Sequence, residues 1–264
     1  MSQLQDRTKA CCADLYAKPV VSWLLGGSLH PGGLELTGHL GRMIALTPSD
    51  RVLDIACGNG TSAIFLARQF GCAVVGVDLA RPLISLARSA ASREGLGALL
   101  DFGLGDAEAL PFSDGSFDAV FSECAISTFP DKRASAREMA RVVRLGGRLG
   151  FTDVVTNGEI PRILSGWLSQ AACIAGACSV EQYQGIFESA GFSAWQEKAC
   201  PEELLTLLRQ VRISLLAMEV AGGLQKIDLS GLDLKAAKET LAELEKWFHS
   251  GTLSYHAFSA VKEG

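Results

Sequence analysis

The sequence lacks several features that would assign the chain to common functional classes. It has no basic tract and carries a net charge of −5 at pH 7, so its charge gives no support for binding to nucleic acid. Its first 16 residues contain no apolar run of signal-peptide length, and its longest uncharged stretch, residues 163–180, is broken by Ser, Gln and Gly. We therefore expect a cytoplasmic protein, a monomer or a homodimer, that binds no nucleic acid and no membrane.

The eight cysteines lack the spacing of a metal site. No C-x-x-C pair is present, which argues against a zinc ribbon, and we predict no resident metal. In a reducing compartment they are expected as free thiols rather than disulfides. Several fall where a buried cysteine packs as a small hydrophobic residue, whereas a structural or a functional role stays open for three of them. These three are Cys11, Cys12 and Cys173.

From Arg51 onward the apolar pattern alternates between strands and helices. The predicted strands cover residues 51–56, 73–77, 99–103, 118–122, 148–155, 192–199 and 255–261. The predicted helices cover residues 61–70, 82–94, 131–144, 161–177, 180–190, 201–220 and 234–249. This order predicts an α/β fold with a doubly wound, Rossmann-like sheet, mostly parallel with an antiparallel last strand, and helices on both faces.

The remaining segments are expected to cover the active site. Residues 1–48 are predicted to form an N-terminal helical cap with a Gly/Pro-rich turn at His30-Pro31-Gly32-Gly33. Residues 49–264 then form one Rossmann-like domain, with a helical insertion at about 158–190 on the acceptor side. His30 could be a base near the acceptor or a turn histidine with one backbone hydrogen bond, and the second interpretation is favoured.

The stretch Arg51–Gly60 has the pattern of a nucleotide-cradling unit. A short β-branched strand ends in Gly58-Asn59-Gly60, and a helical pattern follows. Glycines let the backbone approach a ligand, and the N-terminus of a helix offers unpaired N–H groups. The glycines alone are compatible with NAD, FAD or S-adenosylmethionine.

An aspartate inside the strand favours one of these ligands. Asp54 would lie close to the pyrophosphate of a dinucleotide and repel it. S-adenosylmethionine has no phosphate, and its methionine end carries an ammonium group that suits an acidic neighbour. Asp78 follows Gly58 by 20 residues and suits a ribose diol with either ligand, and Asp106 follows the third strand. Taken singly, these two could also be helix-capping or turn residues.

At this point the sequence resembles the class I S-adenosylmethionine-dependent methyltransferases of the small-molecule type. The matching pieces are VLDIACGNG, GVD, GDAEALPF, SFDAVFSECA and LGGRLGFTD, in family order between residues 51 and 153. The resemblance implies S-adenosylmethionine as cofactor and S-adenosylhomocysteine as its product. The residues implied at the methionine and ribose end are Asp54, Ala56, Gly58, Gly60 and Asp78. Those implied at the adenine are Leu79, Asp106 and Ala107, and those facing the sulfonium are Glu123 and Cys124.

Within that family, residues 165–192 resemble the arsenite methyltransferases. In that group a helix carries a metalloid-binding cysteine, which Cys173 matches, and the Cys11-Cys12 pair is compatible with the same site. These thiols, together with Glu123, are the candidate catalytic residues. The chain departs from the group at Thr61-Ser62-Ala63, where the group has a further cysteine.

Three functions therefore stay open for the chain. The first is methyl transfer by in-line displacement to a small molecule, for example a thiol-bound metalloid such as arsenite. The second is a methyltransferase for a carbon, oxygen or nitrogen acceptor in secondary metabolism. The third is a non-catalytic donor-binding protein, and nicotinamide binding is a weaker fourth.

Overall fold

The fold is described from a computed structural model, which covers residues 29–158, 174, 176–223 and 234–263. The helices in these ranges are α1 Gly33–Met43, α2 Thr61–Phe70, α3 Arg81–Arg93, α4 Lys132–Val142, α5 Val180–Glu188, α6 Pro201–Gly223 and α7 Leu234–His249. The strands are β1 Arg51–Ile55, β2 Ala73–Asp78, β3 Leu100–Leu104, β4 Phe117–Glu123, β5 Val143–Thr156, β6 Phe192–Ala199 and β7 Leu253–Lys262. A short 3₁₀ helix, Ile126–Thr128, follows β4.

The strands form one seven-stranded sheet in the order β3-β2-β1-β4-β5-β7-β6. The pairs among β1 to β5 are parallel, whereas β7 runs antiparallel to both β5 and β6. Because the strand order reverses between β1 and β4, a crevice opens at their carboxyl ends, where doubly wound folds bind ligands. The predicted fold class, with its antiparallel last strand, is confirmed.

Helices cover both faces of the sheet, and alternation along β1 assigns its side chains to them. Val52 joins the core with α1, α2, α3, α6 and α7, whereas Leu53 and Ile55 join the core with α4 and α5. Asp54 shares the face of Val52 and is 3% exposed. A buried strand has apolar contacts on both sides, so burying a carboxylate inside it costs free energy.

The largest differences from the predicted boundaries lie at β5 and at the helix predicted to end at residue 177. Strand β5 begins at Val143 instead of residue 148 and runs through Gly146-Gly147, and its register against β4 shifts between Phe117 and Ala119. Of the helix predicted to reach Ala177, residues 174, 176 and 177 are not helical, and 159–173 lie outside the described residues. Cys178, directly after that segment, forms a parallel bridge with Val155 of β5.

The described ranges contain neither a membrane-spanning helix nor a cluster of metal-ligating side chains. None of the helices there is both long and apolar enough to cross a membrane. Likewise, no cluster of three or more His, Cys, Asp or Glu side chains in those ranges could hold a metal ion.

Candidate donor-binding and methyl-transfer site

The carboxyl ends of β1 to β4 border an open cleft with two lobes. The larger lobe encloses about 830 Å³ of space, open solvent included, and is bordered by the ends of β2, β3 and β4. The smaller lobe lies beside β1 and the start of α2. Four residues line both lobes: Leu29, Ala56, Gly58 and Glu123. The junction between the lobes is therefore formed by the glycine turn, the end of β4 and the residues before α1.

The glycine turn needs its glycines for two different reasons. Gly58 and Gly60 have φ angles of 55° and 79°, in the left-handed region that favours glycine. A Cβ atom at Gly58 would lie 2.9 Å from Cδ1 of Leu29, so a larger residue there would displace the Leu29 side chain, which lines both lobes. Gly60 caps α2, and a Cβ there would meet Ala87 and Phe102; it lines neither lobe.

Asp54 has a buried carboxyl group, and one of its oxygens has no hydrogen-bond partner among the described residues. Among the described residues, nothing donates a hydrogen bond to its Oδ2 atom, although this atom is inaccessible to solvent. Burial, and then the charges of Glu123 and Asp78, raise the pKa of Asp54 well above its usual range. A buried unsatisfied carboxyl group costs free energy, so it is retained where a ligand supplies the partner. Asp54 lines the small lobe, so a cationic group of a ligand bound there would lie beside this carboxyl group.

Asp78 and Asp106 are fixed by backbone N–H groups in turns. The Asp78 carboxylate accepts from the N–H groups of Gly58 at 2.9 Å and Ala80 at 2.8 Å. Burial raises the pKa of Asp78, and these backbone hydrogen bonds oppose the shift. Asp106 Oδ1 accepts from the N–H of Glu108 at 2.9 Å. Both side chains line the large lobe.

Glu123 is held by side chains from three other segments. Its Oε2 atom accepts from Ser62 Oγ at 2.7 Å and from Thr37 Oγ1 at 3.0 Å, and it lies 3.3 Å from His30 Nε2. The Glu123 side chain is 4% exposed and that of His30 is 8% exposed. The network thus joins the turn before α1, α1 itself, α2 and β4 at the junction of the lobes.

The segment after Glu123 has one residue with a strained backbone and is held by several hydrogen bonds. Cys124 has a φ of 51°, which is rare for a residue other than glycine, and its N–H donates to Thr152 O at 2.8 Å. Thr152 Oγ1 in turn lies 2.8 Å from the hydroxyl of Tyr255 on β7. The 3₁₀ helix is held by Asp153 Oδ2, which accepts from the N–H of Ser127 at 2.8 Å. These bonds fix the wall of the cleft that faces the predicted acceptor side.

The structure brings most of the predicted site residues to this one cleft. Those that line it are Asp54, Ala56, Gly58, Asp78, Leu79, Asp106, Ala107, Glu123 and Cys124. Gly60 caps α2 and does not line the cleft. Cys11, Cys12 and Cys173 lie outside the described residues. Sequence reasoning missed the bonds of Glu123 to His30, Thr37 and Ser62, because those residues lie 61 to 93 positions away in the chain and no local pattern links them.

These observations test whether S-adenosylmethionine fits the cleft. Its ammonium group matches the unpaired Asp54 oxygen, and the Gly58 position leaves room where a Cβ would intrude. A dinucleotide would place its pyrophosphate beside carboxylates, which repel it. No Lys or Arg is among the described residues that line either lobe, so nothing there offsets a phosphate charge. The residues therefore fit a phosphate-free cationic donor.

A family model described as "Methyltransferase domain" matches residues 46–191, more than half of the chain. The chain belongs to this family. The predicted membership among class I S-adenosylmethionine-dependent methyltransferases, with S-adenosylmethionine as cofactor, is thereby confirmed.

Among curated relatives, "Methyltransferase GfsG" of Streptomyces halstedii is 34% identical over 171 residues, 65% of this chain and 59% of that protein. The "Arsenite methyltransferase" of Halobacterium salinarum is 32% identical over 153 residues, 57% of this chain and 39% of that protein.

The chain thus spans less than two thirds of the length of these relatives. Among solved structures, the "[4+2]-Cyclase SpnF" is similar with a TM-score of 0.79 and 23% identity, covering 95% of this chain and 94% of that one. At this identity the likeness concerns the fold alone. A fold shared with a cyclase does not specify methyl transfer, so the acceptor chemistry must be argued from the site.

Proposed function

We propose that the chain transfers the methyl group of S-adenosylmethionine to a small molecule. The observation that carries this proposal is the unpaired, buried Asp54 oxygen beside the glycine turn. Bound in the cleft, the donor supplies an electrophilic methyl group that an acceptor's lone pair takes by in-line displacement, leaving S-adenosylhomocysteine. The protein contributes chiefly proximity and orientation, which can lower a barrier by up to roughly 7–11 kcal/mol.

We propose that each group of lining residues contacts one part of the donor. Asp54 pairs with the ammonium group, and Asp78 accepts from the ribose hydroxyls. Leu79, which is 45% exposed, and Ala107 cover the adenine, and Asp106 accepts from its amino group. Glu123 and Cys124 border the sulfonium. Glu123 lines both lobes and Cys124 follows it in the larger lobe, which supports this assignment, since the donor's sulfur lies between its amino acid and its adenosine.

For the acceptor we propose a thiol-bound metalloid such as arsenite. Trivalent arsenic is soft and prefers thiolate ligands, and Cys173, Cys11 and Cys12 are the thiols proposed to hold it. The arsenite methyltransferase relative supports this choice. In this proposal residues 1–48 and the segment at about 158–190 cover the acceptor, which is consistent with Leu29 and His30 lining the cleft. An arsenic lone pair needs no general base.

The test is incubation with S-adenosylmethionine, arsenite and glutathione, with mass spectrometry of the arsenic species. We expect methylated arsenic from the wild type and at least a tenfold lower yield from Cys173→Ala. The matched control Cys72→Ala removes a fully buried thiol far from the cleft lining and should keep its yield once its folding is verified. Absence of methylated arsenic, with S-adenosylhomocysteine still bound, would remove the arsenic version.

A carbon, oxygen or nitrogen acceptor is favoured instead by the Thr61-Ser62-Ala63 sequence, which lacks the further thiol of the arsenite group. Ser62 Oγ donates to Glu123 here, so that position serves a hydrogen-bond network. In this version Cys173→Ala keeps full turnover on the true acceptor. A non-catalytic donor-binding protein would produce no S-adenosylhomocysteine with any member of an acceptor panel, which distinguishes it from both.

A further inference from the structure

The turn that carries Asp106 lies in a loop between β3 and β4. Residues 105–116 form neither a helix nor a strand, apart from an isolated bridge between Asp106 and Ala109. Asp106, Ala107 and Glu108 line the larger lobe. Asp106 accepts from the N–H groups of Glu108 and Ala109 at 2.9 Å each, and both bonds lie inside the turn. These bonds give the turn its shape, whereas its place relative to the sheet requires contacts with another element.

Arg141 of α4 holds the second half of this loop. Its Nη1 atom donates to Phe112 O at 2.7 Å, and its Nη2 atom donates to Leu110 O at 3.0 Å. Its own carbonyl oxygen accepts from the N–H of Gly115 at 2.9 Å. Leu110 O also accepts from the N–H of Phe112 at 2.9 Å, and the Phe112 ring packs edge-on against Phe117 with 4.9 Å between centroids. The rigid fork of the guanidinium thus spans two carbonyl groups of the loop.

Glu138 lies one turn before Arg141 on α4 and bonds both to it and to the loop. Its Oε1 atom accepts from Arg141 Nε at 2.8 Å, and its Oε2 atom accepts from Arg141 Nη2 and from the N–H of Leu110 at 2.7 Å each. The hydrogen bond from Arg141 lowers the pKa of Glu138, and burial opposes this shift. The pair therefore bonds to Leu110 at both its N–H and its carbonyl oxygen.

The N-terminus of the same helix contacts the turn directly. The N–H of Asp131, the N-cap of α4, donates to Glu108 Oε1 at 2.9 Å. Met139, on the buried side of α4, lies in the same core as Leu110, so the helix has a fixed position against the sheet. Helix α4 thus contacts the chain two residues and four residues after Asp106.

We infer that Glu138 and Arg141 are positioning residues that hold Asp106 where it meets the amino group of the donor's adenine. This step rests on the proposed function, in which Asp106 accepts from that group. Neither Glu138 nor Arg141 lines a lobe, so both act through the loop. Without Arg141, the carbonyl oxygen of Phe112 loses its side-chain donor and Glu138 loses its counter-charge. The Glu138 carboxylate then turns toward water and releases Leu110, which lets the turn move.

The experiment measures dissociation constants for S-adenosylhomocysteine and S-inosylhomocysteine by calorimetry. The second ligand has a carbonyl oxygen in place of the amino group, so the ratio of affinities reports the contact with Asp106 and is insensitive to the ribose and methionine ends. The wild type should prefer S-adenosylhomocysteine by about thirtyfold, as for loss of a hydrogen bond to a carboxylate. Arg141→Ala should lower this preference by about tenfold.

Arg141→Lys is a milder variant that keeps the charge but lacks the fork. It should lower the preference by about threefold, and it carries the test if Arg141→Ala does not fold, as checked by thermal unfolding. The matched control is Asp114→Asn, which removes another partner of Arg141. Asp114 accepts from Nη1 at 2.9 Å, but its side chain is 83% exposed, so the bonds of Arg141 to the loop carbonyls remain. This variant should keep the wild-type preference within about twofold.

A second substitution tests whether Arg141 acts through Asp106. In an Asp106→Ala background the preference should already be lost, so adding Arg141→Ala should change it by less than about twofold. A further tenfold change there would overturn the inference. A loss of stability with unchanged preference in both Arg141 variants would show a merely structural role and overturn it too, as would a wild type that binds both ligands equally. If the wild type bound neither ligand, the proposed function itself would fail.

Discussion

The two halves of the sheet edge are built by different kinds of hydrogen bond. On the donor half, at the ends of β2 and β3, the carboxylates accept backbone N–H groups from within 20 residues, as Asp78 does from Gly58 and Ala80. On the other half, at β4 and β5, side chains join segments that are far apart in the chain. Thr37 and Glu123 are 86 residues apart, and Thr152 and Tyr255 are 103 apart. Local turns thus form the donor half, whereas the complete fold is needed to form the other.

The two halves should respond differently to substitution. Loss of a donor-half carboxylate should remove ligand affinity with little cost to stability. Loss of a bond on the β4–β5 half should reduce stability with little effect on donor affinity, unless it touches Glu123. Four substitutions test this contrast, from the largest expected effect to the smallest.

Asp54→Asn should lower the affinity for S-adenosylhomocysteine by at least a hundredfold, or about 3 kcal/mol, as for loss of one partner of a buried ion pair. The same change should raise the free energy of unfolding of the ligand-free protein, because burial raises the pKa of Asp54 and makes its charge costly. Calorimetric titration and urea unfolding measure the two effects. Asp114→Asn, at a largely exposed ion pair with Arg141, is the control and should change neither. Retained affinity in Asp54→Asn would disprove its role.

The contrast between the halves also explains what the sequence could predict. Helices 61–70 and 234–249 have the predicted bounds, because the signals that define them are local. Each has a regular apolar period, the first ends at Gly71, and the second ends at a turn. The start of β5 was predicted wrongly because Gly146-Gly147 indicates a turn, while pairing with β4 extends the strand. The contact between His30 and Glu123 joins residues 93 positions apart, and nothing near His30 in the chain indicates that partner.

Asp153 should make stability depend on pH on the β4–β5 half. Its carboxylate is fully buried, and burial raises its pKa to about 6, against the hydrogen bonds from Ser127 and Val154 and the charge of Lys132. Since its folded pKa lies above its unfolded value near 3.8, the folded state binds the proton first, and stability rises as the pH falls from 7 toward 4.

Asp153→Asn removes this titration while leaving that of Asp54 and Asp78. As the pH falls from 7 to 5, the unfolding free energy of the wild type should therefore rise by roughly 1.4 kcal/mol relative to that of the variant. Urea unfolding at the two pH values measures it. A difference that stays constant would show that Asp153 does not titrate in this range.

Tyr255→Phe removes the buried hydroxyl bonded to Thr152. It should cost about 1 kcal/mol of unfolding free energy, because Thr152 Oγ1 loses its partner in the interior. The double variant Tyr255→Phe/Thr152→Val removes both polar groups and should recover part of that loss. Affinity for S-adenosylhomocysteine should stay within twofold of the wild type throughout. A tenfold loss of affinity would mean that the two halves of the sheet edge are coupled.

Ala56→Gly tests the backbone feature that both halves share. Ala56 follows β1 and Cys124 follows β4, with φ angles of 58° and 51° in the left-handed region. A left-handed alanine costs about 1–2 kcal/mol, and glycine loses about 0.5–1 kcal/mol of chain entropy, so Ala56→Gly should stabilise the protein by roughly 0.5 kcal/mol. Ala63→Gly inside α2 is the control and should destabilise it by about 1 kcal/mol. If Ala56→Gly lowered stability as Ala63→Gly does, the alanine would not be strained.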